Sequence, residues 1–378
     1  MVERRALMTA STWSHIRSFH LPYLREFRRL GWKTAVGCPG VPAEAPDVDE
    51  GLALPFEKRF CSVANFRAAR TLRARLKREP FDLIVTHTSL AAFFTRLAVK
   101  GLRDRPKVIN VVHGYLFDDG TPYWKRKLLL SAERLTAPQT DLLLTMNRWD
   151  EAAAENCRLG KRTAGIPGMG VDFRRLDRAT PEDGMRLRRE LGISQNAFVL
   201  LFAAEFSQRK SQHVLIEAMA RLPEDAILVL CGQGVRLEDC RRRSEQLGLG
   251  DRVRFPGQVS DMPVWYRMAD AAVTSSRSEG LPFNVMEAMY CGLPVIASAV
   301  KGHVDLVRDG ETGLLYPYGD AEACAEKIRR VMEDADLRSG LRAAAADSVR
   351  AYGLDTVLPR VMEKYLSVFD SDRSRCET

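Results

Sequence analysis

Two carboxylates in one short stretch carry the clearest chemical signal in the chain: Glu279 and Glu287, within Asp270 to Ser298 (DAAVTSSRSEGLPFNVMEAMYCGLPVIAS). Ala271 to Ser276 and Pro294 to Ser298 are short runs of small and β-branched residues, the composition of buried parallel strands. Between them Pro282 marks a helix start, NVMEAMYC its body, and Gly292 with Pro294 its stop. Strand, loop, helix and strand form a βαβ unit, which leaves Arg277 to Phe283 at the carboxyl end of a strand and at a helix N-terminus. Amides and the helix dipole point outward there, so the loop suits a phosphorylated ligand. Ionised carboxylates only accept hydrogen bonds and repel a diphosphate, which makes sugar hydroxyls their better partners. Glu279 on the loop and Glu287 about one turn into the helix reach different parts of one extended ligand. Hydroxyls on both sides of a phosphate describe a nucleotide sugar.

Other residues bear chemistry at strand ends. Arg209 and Lys210, in FAAEFSQRKSQHVLI, follow the first strand of the second half. Cations there face the same cleft as Glu279 and neutralise charge on a departing nucleoside diphosphate; the plainer alternative is a solvated basic loop. His113 ends a strand in VINVVHGYLF, so its ring is expected to project into the cleft from the opposite domain, although lone strand-end histidines are often structural. His87, in VTHTSLAAFF, is assigned acceptor-side or structural work. His15 and His20, in WSHIRSFHLP, fall on the first βα loop and are expected on the acceptor side or at a helix start. His213 and His303 read as surface or local structural residues. Asp47 and Asp49 spell D-x-D, a metal motif elsewhere, but lie in a Pro- and acid-rich loop without flanking strands. They read, with Asp334 and Asp336, as solvated acids, and no metal is expected at the active site. Gly232 and Gly234 follow a strand as G-x-G, by itself a weak signal.

These side chains need two scaffolds. In the first half, Ala6 to Ser11, Thr34 to Cys38, Leu83 to Thr86, Val108 to Val112 and Leu142 to Thr145 read as strands, alternating with helices such as Leu21 to Leu30, Val63 to Arg78 and Leu90 to Lys100. In the second half, Phe198 to Ala203, Ile227 to Cys231, Val253 to Phe255, Ala272 to Ser275, Val295 to Ala297 and Leu314 to Tyr316 repeat the plan. The expected fold class is α/β, two Rossmann-like doubly wound domains facing across a cleft. The boundary falls near Gly165 to Asp172 (GIPGMGVD), giving domains at 1–165 and 166–353.

A length of 378 residues also favours two domains, and 46% hydrophobic with 28% charged residues is ordinary for a soluble protein. No run has membrane-spanning length and no signal peptide begins the chain, so a cytoplasmic location is expected. Eight cysteines without a C-x-x-C pair read as reduced and mostly buried. The net charge of +8 favours anionic partners, but no nucleic-acid module appears. Two basic stretches, Asn65 to Glu79 and Thr121 to Leu135, read either as ordinary charged helix faces or as faces docking on an anionic membrane surface; the second adds Tyr123 and Trp124.

Glu279 and Glu287, embedded in EGLP and MEAMxCGxPVIAS and followed by DGETGLLYP, resemble the E-x7-E signature of retaining GT-B glycosyltransferases of family 4. FDLIVTHTSLAAFFTRLA, KVINVVHGYLF and IPGMGVD resemble its exopolysaccharide and capsule subgroup (EpsD-like and CapM-like enzymes). The resemblance implies that Glu279 contacts the donor sugar, that Gly280, Leu281 and Pro282 form the donor-binding loop with the amides of Gly280 and Leu281 donating to sugar and phosphate, and that Glu287 contacts the ribose. It puts Lys210 on the family's lysine position and His113 near the sugar's 6-position, and it packs a tail helix, 354–370, back on the first domain. The chain departs where the family has arginine: Glu205 stands there, and Arg209 is a candidate replacement for its charge. The implied reaction moves a sugar with retention from a UDP-sugar to a lipid-linked saccharide, without metal or other cofactor, on the inner face of the membrane. The leaving phosphate takes the acceptor's proton, since no carboxylate is placed as a nucleophile. A nucleotide-sugar epimerase and a catalytically silent nucleotide-binding subunit remain as alternatives.

Overall fold

Runs such as LIVTH (Leu83–His87), LLLT (Leu142–Thr145) and VIAS (Val295–Ser298) are buried along their whole length. Covered on both faces, they become central parallel strands with helices on either side. The computed structural model describes residues 3–57 and 59–370. Residues 3–170 with 355–370 form one compact unit and Val171–Leu354 the other, a division inside the Gly165 to Asp172 segment.

The first unit is built on strands β1 (Arg5–Thr9), β2 (Lys33–Cys38), β3 (Glu50–Ala53), β4 (Leu83–His87), β5 (Lys107–Val112), β6 (Leu142–Thr145) and β7 (Thr163–Gly165), in the spatial order β3-β2-β1-β4-β5-β6-β7. The second holds β8 (Phe198–Ala203), β9 (Ala226–Cys231), β10 (Val253–Gly257), β11 (Ala271–Thr274), β12 (Val295–Ser298) and β13 (Leu314–Tyr316), ordered β10-β9-β8-β11-β12-β13. Their pairings are parallel. In each sheet the chain runs outward one way and then returns to build the other side. The reversal falls between β1 and β4 in the first unit and between β8 and β11 in the second. Connections diverge there, which opens a crevice at the carboxyl ends of the strands.

Two edge strands escape the sequence reading. β3 is EGLA, with alternate residues half-buried and exposed, and β7 is only TAG. Neither carries the apolar run that marks a strand buried on both faces. The tail helix Leu354–Leu366 buries Val357, Val361, Met362 and Tyr365. Tyr365 lies flat against Phe27, their centroids 6.2 Å apart, and Phe369 meets Trp32 at 5.8 Å, both within the first unit.

Asp49 is exposed and Asp47 half-buried, and both also make structural bonds. Asp49 accepts from the Thr34 amide and hydroxyl at 2.9 Å each and pairs with Arg28 at 3.3 Å, while Asp47 pairs with Arg25 at 3.0 Å. Asp334 caps the helix Ala335–Val349. In the first basic stretch Arg75 bonds Glu50 and Glu79, and Arg73 bonds the Ala98 and Lys100 carbonyls, so part of that charge holds the fold.

Candidate active site

The second unit's reversal point brings Lys210, Arg209 and Glu279 together. After β8 the chain makes a tight turn in which Lys210 N donates to Ser207 O and Ser211 takes a left-handed φ of 50°. Two neighbouring backbones hold this turn. Arg277 N donates to Arg209 O at 2.7 Å, and Ser275 Oγ to Lys210 O at 2.9 Å. The loops after β8 and β11 are therefore locked to each other by one backbone bond and one serine hydroxyl.

Both oxygens of Glu279 are occupied by cations. Lys210 Nζ donates to Oε1 and Arg209 Nη1 to Oε2, each at 2.6 Å, and Arg209 also donates to Ser278 O at 3.0 Å. Lys210 and Glu279 are buried, whereas Arg209 is half exposed. Burial alone raises a carboxyl's pKa, yet Lys210 and Arg209 hold Glu279 down to about 2. Burial likewise pulls the Lys210 ammonium below its usual range, partly opposed by Glu279. Two cations on one carboxylate leave the cluster with one net positive charge.

The β9 loop supports the β8 loop. Gly232 has φ 140° and Gly234 φ 152°, and a Cβ on them would come within 2.0 Å of Ala204 O and 2.3 Å of Phe206 O. Phe206 N and Ala204 N bond back to Gln233 O and Cys231 O. The G-x-G thus lets two loops touch backbone to backbone, fixing the start of the Lys210 turn.

Glu287 sits on the helix Phe283–Tyr290, buried, and its partners were invisible in the sequence. Tyr266 Oη donates to it at 2.8 Å, and Arg175, from the turn Phe173–Leu176, forms an ion pair with it. Burial raises its pKa; Arg175 and Tyr266 oppose the rise. Asn284 Nδ2 ties the helix's first turn to Ala203 O at 3.2 Å. Gly280, Leu281 and Pro282 are buried in the loop between, and Pro282 offers the helix no side-chain cap. Glu205 is exposed. His213 is on the surface, but His303 is fully buried, its Nδ1 against Ser298 O at 2.8 Å, which corrects the surface option for it.

The first unit's reversal point collects the other four histidines. His15 comes from the helix Trp13–Phe19, His20 from the junction with the helix Leu21–Arg29, His87 from the end of β4 and His113 from just beyond β5. His20 and His87 stack at 3.6 Å between centroids, and His87 Nδ1 lies 3.1 Å from His113 Nε2. The sequence reading sets His113 apart from the acceptor-side His15, His20 and His87; the fold brings all four into one group.

Two doubly wound units with this crevice chemistry define the GT-B class of glycosyltransferases, and the chain matches it throughout. The family model described as glycosyl transferases group 1 matches residues 185–348, and that of the glycosyl transferase 4-like domain matches residues 21–165. EpsD of Bacillus subtilis (strain 168), named as a glycosyltransferase, is 31% identical over 374 residues, covering 98% of each chain. An Escherichia coli enzyme named UDP-Gal:alpha-D-GlcNAc-diphosphoundecaprenol alpha-1,3-galactosyltransferase is 23% identical over 81% of this chain and 80% of its own. Among solved structures, Anabaena Alr3699/HepE in complex with UDP and glucose superposes with a TM-score of 0.79 at 21% identity, covering 97% of this chain and 100% of that one. The protein belongs to the group 1, family 4-like glycosyltransferases.

Proposed function

We propose that the protein transfers a hexosyl unit, with retention, from a UDP-sugar to a lipid-linked saccharide during polysaccharide assembly. The observation that carries the reading is the pair of cations on Glu279 at the reversal point between β8 and β11. Lys210 and Arg209, with the amides of Gly280 and Leu281, take up the diphosphate charge without a metal ion. Arg209 stands in for the family arginine that Glu205 replaces. Glu279 orients the sugar hydroxyls, Pro282 shapes the loop, and Glu287 accepts from the ribose, held by Arg175 and Tyr266. The histidines at the first unit's reversal point serve transfer and the acceptor. The UDP and undecaprenol in the relatives' names support the donor and acceptor classes.

The test is a panel of UDP-, GDP- and ADP-sugars scored by thermal stabilisation, hydrolysis and transfer. UDP and one UDP-sugar are expected to stabilise the protein, with Glu287→Gln weakening UDP binding by about tenfold, the loss of one charged hydrogen bond. Equal response to all three nucleotides refutes the donor assignment. Donor consumed without any acceptor, giving an isomeric nucleotide sugar, favours the epimerase.

We infer a peripheral membrane location from the helix Tyr123–Thr136. Tyr123, Trp124 and Leu128 are 79%, 69% and 62% exposed beside Lys125, Arg126 and Lys127. Aromatic rings with adjacent cations suit an anionic headgroup layer. Among the described residues no helix is long and apolar enough to cross a membrane. The protein is expected to cosediment with phosphatidylglycerol vesicles and not with phosphatidylcholine ones, and Trp124→Ser with Lys127→Glu is expected to abolish it. Unchanged sedimentation of that double variant rejects this face.

A further inference from the structure

We propose that His15, His20, His87 and His113 form a binding site for one divalent transition-metal ion, zinc foremost, at the reversal point of the first unit. The inference goes beyond the transfer reaction and does not depend on it.

Geometry carries it. One ligand nitrogen from each of the four rings lies within 4.8 Å of the others. Zinc–nitrogen bonds of about 2.0–2.1 Å in a tetrahedron put the ligand atoms about 3.3 Å apart. His87 Nδ1 and His113 Nε2, at 3.1 Å, already stand near that edge. The other separations close by about 1.5 Å at most, and the stacked His20 and His87 rings, 3.6 Å apart, turn out of their stack to aim at one ion. The scaffold is stiff where the ligands converge. Thr88, directly after His87, holds a left-handed φ of 63°, and its Oγ1 accepts from the Ser11 amide at 3.0 Å and bonds Ser11 Oγ at 2.7 Å. A β-branched residue in that conformation is strained and persists only where its surroundings impose it.

Polar bookkeeping points the same way. His15 Nε2, His20 Nδ1, His20 Nε2 and His87 Nε2 are buried without a hydrogen-bond partner, and His20 and His87 are fully buried. Unpaired buried polar atoms are rare because each forfeits its hydration. Hydrogen bonds among the four rings cannot cure this: the group has one mutual contact and no carboxylate to accept a proton. A metal ion engages one nitrogen of every ring at once; with His87 ligating through Nδ1 it relieves His15 Nε2 and one nitrogen of His20. Neutral imidazole is the ligating form. Four nitrogens and no oxygen donor disfavour magnesium and calcium and suit zinc, nickel, cobalt or copper. His15 and His113 are only partly buried, so solvent or an anion reaches the ion's charge from that side. His113, which the resemblance puts near the donor sugar, ligates through one ring nitrogen and keeps the other for that contact.

The test uses the full chain purified without a histidine tag or a nickel column. Elemental analysis is expected to find about one zinc per chain after exposure to zinc and desalting, retained by His213→Gln and lost from His20→Gln and His87→Gln. Cobalt bound to the chelator-treated wild type is expected to show the visible bands of tetrahedral coordination, and zinc to raise the wild-type Tm by several degrees but not that of His20→Gln. Should the variants fail to fold, the cobalt spectrum and the wild-type Tm decide alone. Absence of bound zinc and of cobalt bands in the wild type overturns the proposal, as does equal zinc retention by folded His20→Gln and His87→Gln.

Discussion

Lys210→Ala is expected to lower transfer by about 10²- to 10³-fold while the protein stays folded, the cost of removing one preorganised group that meets developing charge. Lys210 donates to Glu279 at 2.6 Å from a nearly dry position, so its charge is little screened by water. When the sugar–phosphate bond breaks, negative charge grows on the diphosphate, and a buried ammonium already in place stabilises it without reorganisation. Folding survives because the Lys210 backbone keeps its bond from Ser275 and Glu279 keeps Arg209. The loss should appear mainly in kcat, since the interaction strengthens as charge develops. Arg209→Ala should cost less, because its side chain is half exposed. Full-length protein with an unshifted Tm and wild-type kcat in Lys210→Ala would remove Lys210 from the reaction.

How far the site was legible depended on sequence distance. Glu279, Arg209 and Lys210 stand out because each lies on the loop beyond a recognisable buried strand, and Glu287 because it is on the helix that such a loop opens; a parallel sheet collects these positions at one edge. The partners of Glu287 do not. Arg175 lies 112 residues away on a short turn with no periodic pattern, and Tyr266 on the short helix Met262–Met268, 21 residues before Glu287. The sequence sets His15 and His20 on one loop and His87 on the same acceptor side, but that His113 joins them in one group is not legible, because residues 15 to 113 meet only through the strand order β1-β4-β5, which a linear pattern does not reveal. The G-x-G at Gly232 and Gly234 was read as a weak ligand motif, whereas its use is the close approach of two backbones. Edge strands β3 and β7 were missed for the converse reason: lying at the sheet margins, they need no continuous apolar run.

Glu279→Ala is expected to abolish transfer and also to destabilise the second unit by about 3–5 kcal/mol, the usual cost of stranding a buried charge. The carboxylate neutralises two cations at once, and removing it leaves Lys210 buried with Arg209 as its nearest charge. For a unit of this size the loss corresponds to a Tm lower by roughly 10 °C. Because the effect comes from the stranded ammonium, adding Lys210→Met to Glu279→Ala should recover much of the stability and none of the activity, a non-additive pair in a double-mutant cycle. The pH dependence has a definite sign. The folded-state pKa of Glu279 is depressed to about 2, so its contribution is fully present above the ordinary carboxyl value of 4.5 and is lost as pH falls from there towards 2. The Tm difference between wild type and Glu279→Ala should therefore be constant from neutral pH down to about 5 and shrink below it. A difference that grows on acidification, or single-variant losses that simply add in the double variant, would mean that the carboxylate does not hold the two cations in place.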